Sequence, residues 1–335
     1  MKHHEPGPDL IRVIGLLFVN CLHSFLYNGF YYEEQTGLVM WGANTMRWIF
    51  FGANGIFMML TGYLKTNKPW NKRYYRGLLP VLVGYTLTCV ISYPIRHFVL
   101  GEKLTLIQWL VNYITFSNYS WYIEMYIGLI FISPLLNLAL DALGDGRRQL
   151  MAVVTLFFMT ALPSITSLQL IPQWWTGMYP ATYYLIGAWI KRNQPKIKPG
   201  IALIGMLLSS GLMGLLTLIS TDGTSGDGFG QGYGGFYITG SVTFLFLALY
   251  RIHIGTRFAR FLAWVSGGVF EGYILSRLFD VWIYGKVPFW HDPRQYPLIL
   301  LCVTVPVFLI SLFSGKLVHS ISGRICGPRN ARQKI

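Results

Sequence analysis

The sequence predicts an all-α fold, a polytopic bundle of about ten transmembrane helices. Two observations predict this class. The 335-residue chain is 53% hydrophobic and only 12% charged, which is too apolar for a soluble protein of this length. Its apolar residues also come in blocks close to the length that crosses the hydrocarbon core as a helix. No connecting segment is long enough for a separate soluble domain, so we expect residues 1–335 to form one membrane-embedded domain.

The ten apolar blocks define the order of the predicted helices. They lie at residues 10–30, 45–65, 77–98, 121–143, 149–168, 174–190, 200–219, 234–252, 261–284 and 297–316, and a basic tail follows at 316–335. Most of the 27 basic residues fall in alternate connecting segments, whereas the acidic and glycine-rich loops fall on the other side. The positive-inside rule therefore predicts that both termini and the basic loops are cytoplasmic.

Charge and cysteine usage exclude several function classes. The net charge of +14 follows from the cytoplasmic loops and is not a nucleic-acid signature. The four cysteines are scattered, without a CxxC pair or the ligand spacing of a zinc site, so we expect no metal. The sequence also contains no Walker loop, no paired zincin histidines and no GxSxG motif.

The first predicted helix carries polar groups that a helix facing lipid would not keep. Arg12 lies near its start and His23 deep inside it. Eleven residues at about 100° each make about three turns, so both side chains share one face, about 16 Å apart. Ionisable groups at membrane depth are costly and mark functional sites. The alternative is a structural histidine bonded to a neighbouring helix, but Asn20 on the same face favours a functional site. We expect this face to line a passage.

The third predicted helix begins with the segment RYYR. Arg73 and Arg76 lie one turn apart at a helix N-terminus, where forked donors and the helix dipole suit a polyphosphate. The alternative interpretation is that both arginines only set the topology, because every predicted cytoplasmic loop is basic.

The fourth predicted helix opens with the segment SWYIEMY. Glu124 lies about one turn inside the extracytoplasmic end, beside Trp121 and Tyr122. Its carboxylate either orients His23 or binds a sugar hydroxyl, or it only extends towards the outer headgroups.

The ninth predicted helix carries three charged residues. Glu271 is expected near the middle of the membrane, about as deep as His23, where it needs a partner. Arg277 and Asp280 are spaced to pair with each other. Glu271 is therefore the more informative of the three.

A small residue predicts one close helix contact. Gly62 lies in the segment FMMLTGYL at the end of the second predicted helix. Glycine inside a membrane helix lets a neighbouring backbone approach closely, so we expect helix packing there.

Taken together, these segments resemble the acyltransferase 3 family of integral membrane acyltransferases. A basic residue, ten residues and a histidine in the first helix correspond to Arg12 and His23, and the family's RxxR corresponds to Arg73 and Arg76. FMMLTGYL, SWYIEMYIGLIFISPLLN and MYPATYYLIGAWI are similar to its second, fourth and sixth helices. The resemblance covers nearly the whole chain. Members of the family often carry a histidine near the position of Ser276, and this chain does not.

The resemblance implies a reaction and its substrates. It implies transfer of an acyl group, most often acetyl, from cytoplasmic acyl-CoA to a hydroxyl of an extracytoplasmic glycan or lipid-linked precursor, at a bacterial plasma membrane. Arg73 and Arg76 would hold CoA phosphates, and Arg12 the pantetheine end or the thioester carbonyl. His23 would be the general base or an acyl carrier, with Glu124, Glu271, Asp280, Trp121 and Tyr122 beside it or on the acceptor side.

Two other classes stay open at this point. A secondary transporter also places a polar stripe inside a helix bundle, but the paired broken helices of inverted repeats are not visible. A non-catalytic scaffold leaves the stripe of Arg12 and His23 unexplained. The expected partners are membrane lipid and an acceptor saccharide, and the sequence is also compatible with a homo-oligomer.

Overall fold

The chain folds into helices throughout the part that the structure describes. The computed structural model describes residues 5–117, 121–165, 170–220, 232–284, 286 and 293–326, and contains no strand among them. Numbered in chain order, the helices are α1 (Pro6–Tyr27), α2 (Gly37–Phe51), α3 (Ala53–Lys65), α4 (Lys72–Val99), α5 (Leu106–Ile114), α6 (Trp121–Leu143), α7 (Gly146–Ala161), α8 (Tyr179–Asn193), α9 (Pro199–Ser220), α10 (Phe236–Leu249), α11 (Thr256–Ser266), α12 (Val269–Tyr284) and α13 (Tyr296–Ile325). The predicted all-α class is confirmed.

Five of these helices are long and apolar enough to cross a membrane. They are α1, α4, α6, α9 and α13, each of at least 22 residues. The helix α10 is apolar but shorter. The structure therefore supports a membrane protein with several spanning helices, and the predicted number of ten remains a prediction.

Two predicted spans are each divided into two helices. The span at 45–65 is broken at Gly52, which ends α2 and begins α3. The span at 261–284 is divided between Ser266 and Val269, where α11 ends and α12 begins. At both breaks a glycine packs directly against a neighbouring helix: an added Cβ would lie 2.6 Å from a Val242 methyl at Gly52, and 2.4 Å from the Lys316 backbone at Gly268.

The last helix continues beyond its predicted end. The sequence predicts a basic tail from residue 316, but α13 runs on to Ile325, and within it the Lys316 amine lies 5.3 Å over the Trp264 ring. Several predicted features lie outside the described residues: Lys2, the glycine-rich loop at 221–231, and Arg329, Arg332 and Lys334 of the tail.

The ends of several helices meet at one basic surface. The Glu5 carboxylate before α1 accepts hydrogen bonds from Lys191 Nζ at 2.9 Å and from the Tyr63 hydroxyl at 2.9 Å. Arg192 Nη1 donates to Asp141 Oδ1 at 2.5 Å. The start of α1 and the ends of α3, α6 and α8 therefore lie together, and we call this surface the basic end of the bundle.

Glycines bring two pairs of helices into backbone contact. A Cβ added at Gly62 of α3 would lie 1.9 Å from the Tyr184 carbonyl oxygen, and one at Gly187 of α8 would lie 1.8 Å from the Met59 carbonyl oxygen. Gly272 of α12 and Gly315 of α13 meet in the same way: a Cβ added at Gly315 would lie 2.2 Å from the Gly272 backbone nitrogen. The close contact predicted at Gly62 is confirmed, and the second contact holds α13 against α12.

Candidate functional site

The imidazole of His23 is bonded to a buried carboxylate from α12. His23 Nδ1 lies 2.5 Å from Asp280 Oδ2, and the side chain of Asp280 is 0% exposed whereas that of His23 is 24% exposed. A carboxylate acceptor holds the proton on Nδ1, so Nε2 keeps its lone pair. This is the arrangement of a histidine prepared to take a proton from a hydroxyl.

The partner of His23 corrects one expectation from the sequence. The sequence suggests that Glu124 or Glu271 orients His23, and its spacing suggests that Asp280 pairs with Arg277. In the structure Asp280 keeps its electrostatic attraction to Arg277 and also reaches across to His23 on α1. It can do so because α1 and α12 pack side by side: Leu16 lies 3.3 Å from the Cβ position of Gly272.

Aromatic and cationic groups surround this pair. The Tyr27 ring lies edge-on to the His23 ring with centroids 6.0 Å apart, and the Arg277 guanidinium lies 4.4 Å over the Tyr27 ring. Tyr284 stacks on Tyr27 at 6.4 Å and bonds the Thr304 hydroxyl at 3.1 Å. The His23 end of the site therefore combines a base, a fixed cation and two stacked phenol rings.

Arg12 is held by its own helix and by α11. Arg12 Nη1 donates to Asp9 Oδ1 at 2.7 Å, and the same oxygen accepts from the Ser266 hydroxyl at 2.8 Å. The side chain of Arg12 keeps 34% of its surface exposed. One edge of the guanidinium is thus fixed while part of the group stays accessible to a ligand.

A cavity of about 350 Å³ extends from the basic end into the bundle and is lined by Arg12. Lys65 of α3 and Pro80 of α4 belong to the lining near the basic end. Three aromatic side chains line it further in, with Phe57 and Tyr122 centroids 5.8 Å apart and Tyr122 and Tyr273 centroids 6.0 Å apart. The lining therefore combines charged groups such as Arg12 and Lys65 with aromatic rings, as in sites for small molecules and cofactors.

The cavity ends before it reaches His23. At a rise of about 1.5 Å per residue, Arg12 lies about 10 Å and His23 about 27 Å along α1 from Glu5 at the basic end. His23 is not among the residues that line the cavity, and Leu16 and Asn20, which lie between Arg12 and His23, are fully buried. This cavity therefore reaches Arg12 and not His23, and the passage that the sequence predicts to join the two residues stays a prediction.

Glu271 lies nearer to the basic end than the sequence predicted. It is the third residue of α12, so it lies about 13 Å along that helix from Asp280. Its Oε1 lies 2.9 Å from His319 Nδ1 of α13, and both residues line the cavity with Arg12. Glu271 is thus not as deep as His23, and it forms a second histidine–carboxylate pair.

The predicted residues of α6 lie in two different environments. Tyr122 is buried and lines the same cavity as Arg12, whereas Trp121 is exposed and packs 5.2 Å from the Tyr233 ring. Glu124 is exposed, as expected of a carboxylate that extends towards headgroups. An acceptor role for Glu124 stays a prediction.

The two arginines of RYYR lie at the exposed start of α4. Arg73 and Arg76 are both exposed on either side of the buried Tyr74. Asn71 caps this helix by accepting from the Tyr74 amide at 3.1 Å. Pro80, one turn after Arg76, lines the cavity, so the arginines are placed next to its mouth at the basic end.

Sequence reasoning missed His319. The predicted last span ends at Lys316, since a charge marks its boundary, and His319 therefore falls outside it. The signal that could have found it is the small-residue face of Ser311 and Gly315, which continues the helix at i, i+4 spacing towards His319.

The described part of the chain contains no cluster of metal-ligating side chains. Among residues 5–117, 121–165, 170–220, 232–284, 286 and 293–326, no three His, Cys, Asp or Glu side chains come together as a metal site would need. The groups placed for chemistry in this region are two histidine–carboxylate pairs and the arginines around them.

Comparison with known proteins identifies the family. The family model of the acyltransferase domain Acyl_transf_3 matches residues 5–315, nearly the whole chain. Neither a curated protein nor a solved structure matches the chain significantly. The chain belongs to the Acyl_transf_3 family of acyltransferases, and its apolar helices make it a membrane protein.

Proposed function

We propose that the protein transfers an acyl group, most simply acetyl, from acyl-CoA to a hydroxyl of an extracytoplasmic glycan or lipid-linked cell-envelope precursor. The contact of 2.5 Å between His23 and Asp280 carries the proposal, because it supplies a fixed base within a chain of the Acyl_transf_3 family. The enzyme would reside in a bacterial plasma membrane, with its basic end and both termini in the cytoplasm.

His23 has two chemical routes to the same product. As a general base, Nε2 takes the proton of the acceptor hydroxyl, whose oxygen attacks the thioester carbonyl. The C–S bond then breaks and the imidazolium protonates the thiolate, which leaves as free CoA. As an acyl carrier, Nε2 attacks the thioester carbonyl itself, the C–S bond breaks, and CoA leaves as a thiolate. The acceptor hydroxyl then attacks the acyl-imidazolium carbonyl, the C–N bond breaks, and the hydroxyl proton goes to the thiolate. In either route Asp280 holds the tautomer and stabilises the positive charge on the ring.

The donor would bind at the basic end. Arg73 and Arg76 are exposed beside the cavity mouth and suit the phosphates of CoA by forked hydrogen bonds. The Lys65 amine lies 4.8 Å over the Tyr74 ring and adds a positive charge to the lining. Arg12 would bind the thioester carbonyl or the end of the pantetheine arm with the part of its guanidinium that Asp9 leaves accessible.

The acceptor would bind around the His23 end. The half-buried Tyr27 ring, which stacks on the buried Tyr284, is the kind of apolar surface on which a sugar ring packs, while Arg277 supplies a cation beside it. Trp121 and Glu124 are further candidates because they are exposed at the start of α6. An anionic saccharide would complement Arg277 best.

Transfer requires a change in packing between the two ends. Leu16 and Asn20 are buried between Arg12 and His23. The acetyl group must pass this layer, so we infer that substrate binding separates side chains there. Asn20 favours this, since its Oδ1 is buried and accepts no hydrogen bond among the described residues, and a buried oxygen of that kind is expected to find a donor in a substrate or water.

Radiolabelled donor provides the test. Purified protein incubated with radiolabelled acetyl-CoA should release free CoA slowly, and faster when envelope glycan is added, with label appearing in the glycan. A secondary transporter would accumulate a solute in proteoliposomes and would leave the thioester intact. Intact acetyl-CoA in the presence of candidate glycans would contradict the proposal.

A further inference from the structure

The cavity contains a polar pair that the proposed chemistry at His23 does not use. Glu271 Oε1 and His319 Nδ1 are 2.9 Å apart, and both residues line the cavity together with Arg12. The pair lies about 13 Å along α12 from the His23–Asp280 pair, so it is too far away to act on the same proton.

The pair offers hydrogen-bond acceptors. The side chain of Glu271 is 3% exposed, and its second oxygen, Oε2, has no hydrogen-bond partner among the described residues. His319 donates its Nδ1 proton to this carboxylate, which leaves Nε2 as an acceptor on the side of Gly267, another lining residue. Leaving a buried carboxylate oxygen unpaired is costly, so a ligand with N–H or O–H donors would stabilise it.

The order of groups along the cavity matches the order of groups in acyl-CoA. Lys65 lines the cavity, and its amine lies 3.6 Å from the Cβ position of Gly77, the residue after Arg76. The acceptors of Glu271 and His319 line the same cavity together with Arg12. Acyl-CoA has phosphates at one end, then an uncharged pantetheine arm with two amide N–H groups and a hydroxyl, then the thioester. A carboxylate would repel the phosphates but would accept hydrogen bonds from the arm.

We propose that Glu271 and His319 are positioning residues that bind the pantetheine arm of the donor. This inference rests on the proposed function, and it moves Glu271 from the acceptor side, where the sequence placed it, to the donor side. The space for its carboxylate comes from Gly84 of α4, where an added Cβ would lie 2.9 Å from Glu271 Oε1. Three helices (α4, α12 and α13) thus hold the pair in place.

Two donors separate this site from the phosphate site. S-acetylpantetheine carries the arm and the thioester but lacks the nucleotide and its phosphates. Glu271→Gln and His319→Asn are expected to raise the KM for both acetyl-CoA and S-acetylpantetheine about 10-fold, with a smaller change in kcat, because a hydrogen bond to a buried charged group is lost. Arg73→Ala with Arg76→Ala should raise the KM for acetyl-CoA alone.

Matched variants control for charge and for folding. Glu34→Gln and His253→Asn change exposed residues of the same types and should leave both KM values unchanged. Thermal melting in detergent shows whether each variant folds; if Glu271→Gln does not, His319→Asn carries the test, since His319 is only part-buried.

Three results would overturn the inference. Folded variants with an unchanged KM for S-acetylpantetheine would show that the pair does not touch the arm. A change confined to the KM for the glycan acceptor would return Glu271 to the acceptor side. A wild-type protein that releases no CoA from acetyl-CoA would overturn the proposed function and this inference together.

Discussion

Replacing Asp280 by asparagine tests the proposed base directly. Asp280 is fully buried and accepts a bond of 2.5 Å from His23 Nδ1. A charge-assisted hydrogen bond of this kind contributes about 1.5–3 kcal/mol. At about 1.4 kcal/mol for each factor of ten, its loss in the transition state lowers kcat roughly 10- to 150-fold.

The wrong tautomer adds to this loss. In the Asp280→Asn variant the side-chain amide can donate its NH₂ group to His23 Nδ1. The ring proton then moves to Nε2, which can no longer accept a proton from the acceptor hydroxyl. In a serine-protease triad the equivalent change costs about 10⁴-fold. We therefore expect transfer to fall at least about 100-fold, while the fold survives because the change removes a buried charge.

The assay follows the transfer of radiolabelled acetyl groups to glycan in membranes that contain equal amounts of each variant, together with equilibrium binding of CoA. Asp141→Asn is the matched control, because Asp141 is exposed at the basic end and pairs with Arg192. Transfer at the wild-type rate in Asp280→Asn would refute the reasoning, and so would a loss of transfer that is explained entirely by lost CoA binding.

The remaining predictions concern the base, the donor site and the packing. His23→Ala should abolish transfer and leave CoA binding largely intact, whereas retained transfer would remove His23 from the mechanism. Arg73→Ala with Arg76→Ala should raise the KM for acetyl-CoA at least about 10-fold, and an unchanged KM would leave both arginines a topological role only. Gly62→Ala should lower the Tm in detergent by several degrees, since its Cβ would lie 1.9 Å from a carbonyl oxygen and overpacking costs about 1–3 kcal/mol. Gly128→Ala, with nothing within 4 Å, is its control and should not lower the Tm.

The helical class and the face of α1 could be predicted because they depend on local patterns. Apolar blocks of spanning length and a 3.6-residue period are properties of the sequence itself. The shared face of Arg12 and His23 follows from them, and so does the close contact at Gly62. The family assignment rests on the same motifs, and the match over residues 5–315 confirms it.

The partners of the two histidines could not be predicted, because they depend on which helices are neighbours. Asp280 has Arg277 one turn away in sequence, yet it bonds His23 on α1. Glu271 bonds His319 on α13. Both contacts require α1, α12 and α13 to pack together, and that packing depends on glycines such as Gly272, whose role is visible only once the facing backbone is known.

Predicted helix boundaries differ from the structure at one charged residue and at two glycines. The charge of Lys316 is expected to mark the end of the last span, but the helix continues for more than two further turns. The Lys316 amine lies over the Trp264 ring, which is a favourable contact for a charge there. Gly52 and Gly268 break apolar segments that hydropathy alone describes as continuous. Hydropathy measures the average hydrophobicity of a segment, so it does not register these local contacts.

The most direct measurement of the central claim is the sidedness of acetyl transfer in sealed membrane vesicles of both orientations. Radiolabelled acetyl-CoA supplied only to the face that carries Arg73 and Arg76 should label glycan on the opposite face, and His23→Ala should abolish the label. If labelling requires the donor on the His23 face, or if neither orientation transfers acetyl groups, the bundle does not carry an acyl group from its basic end to His23.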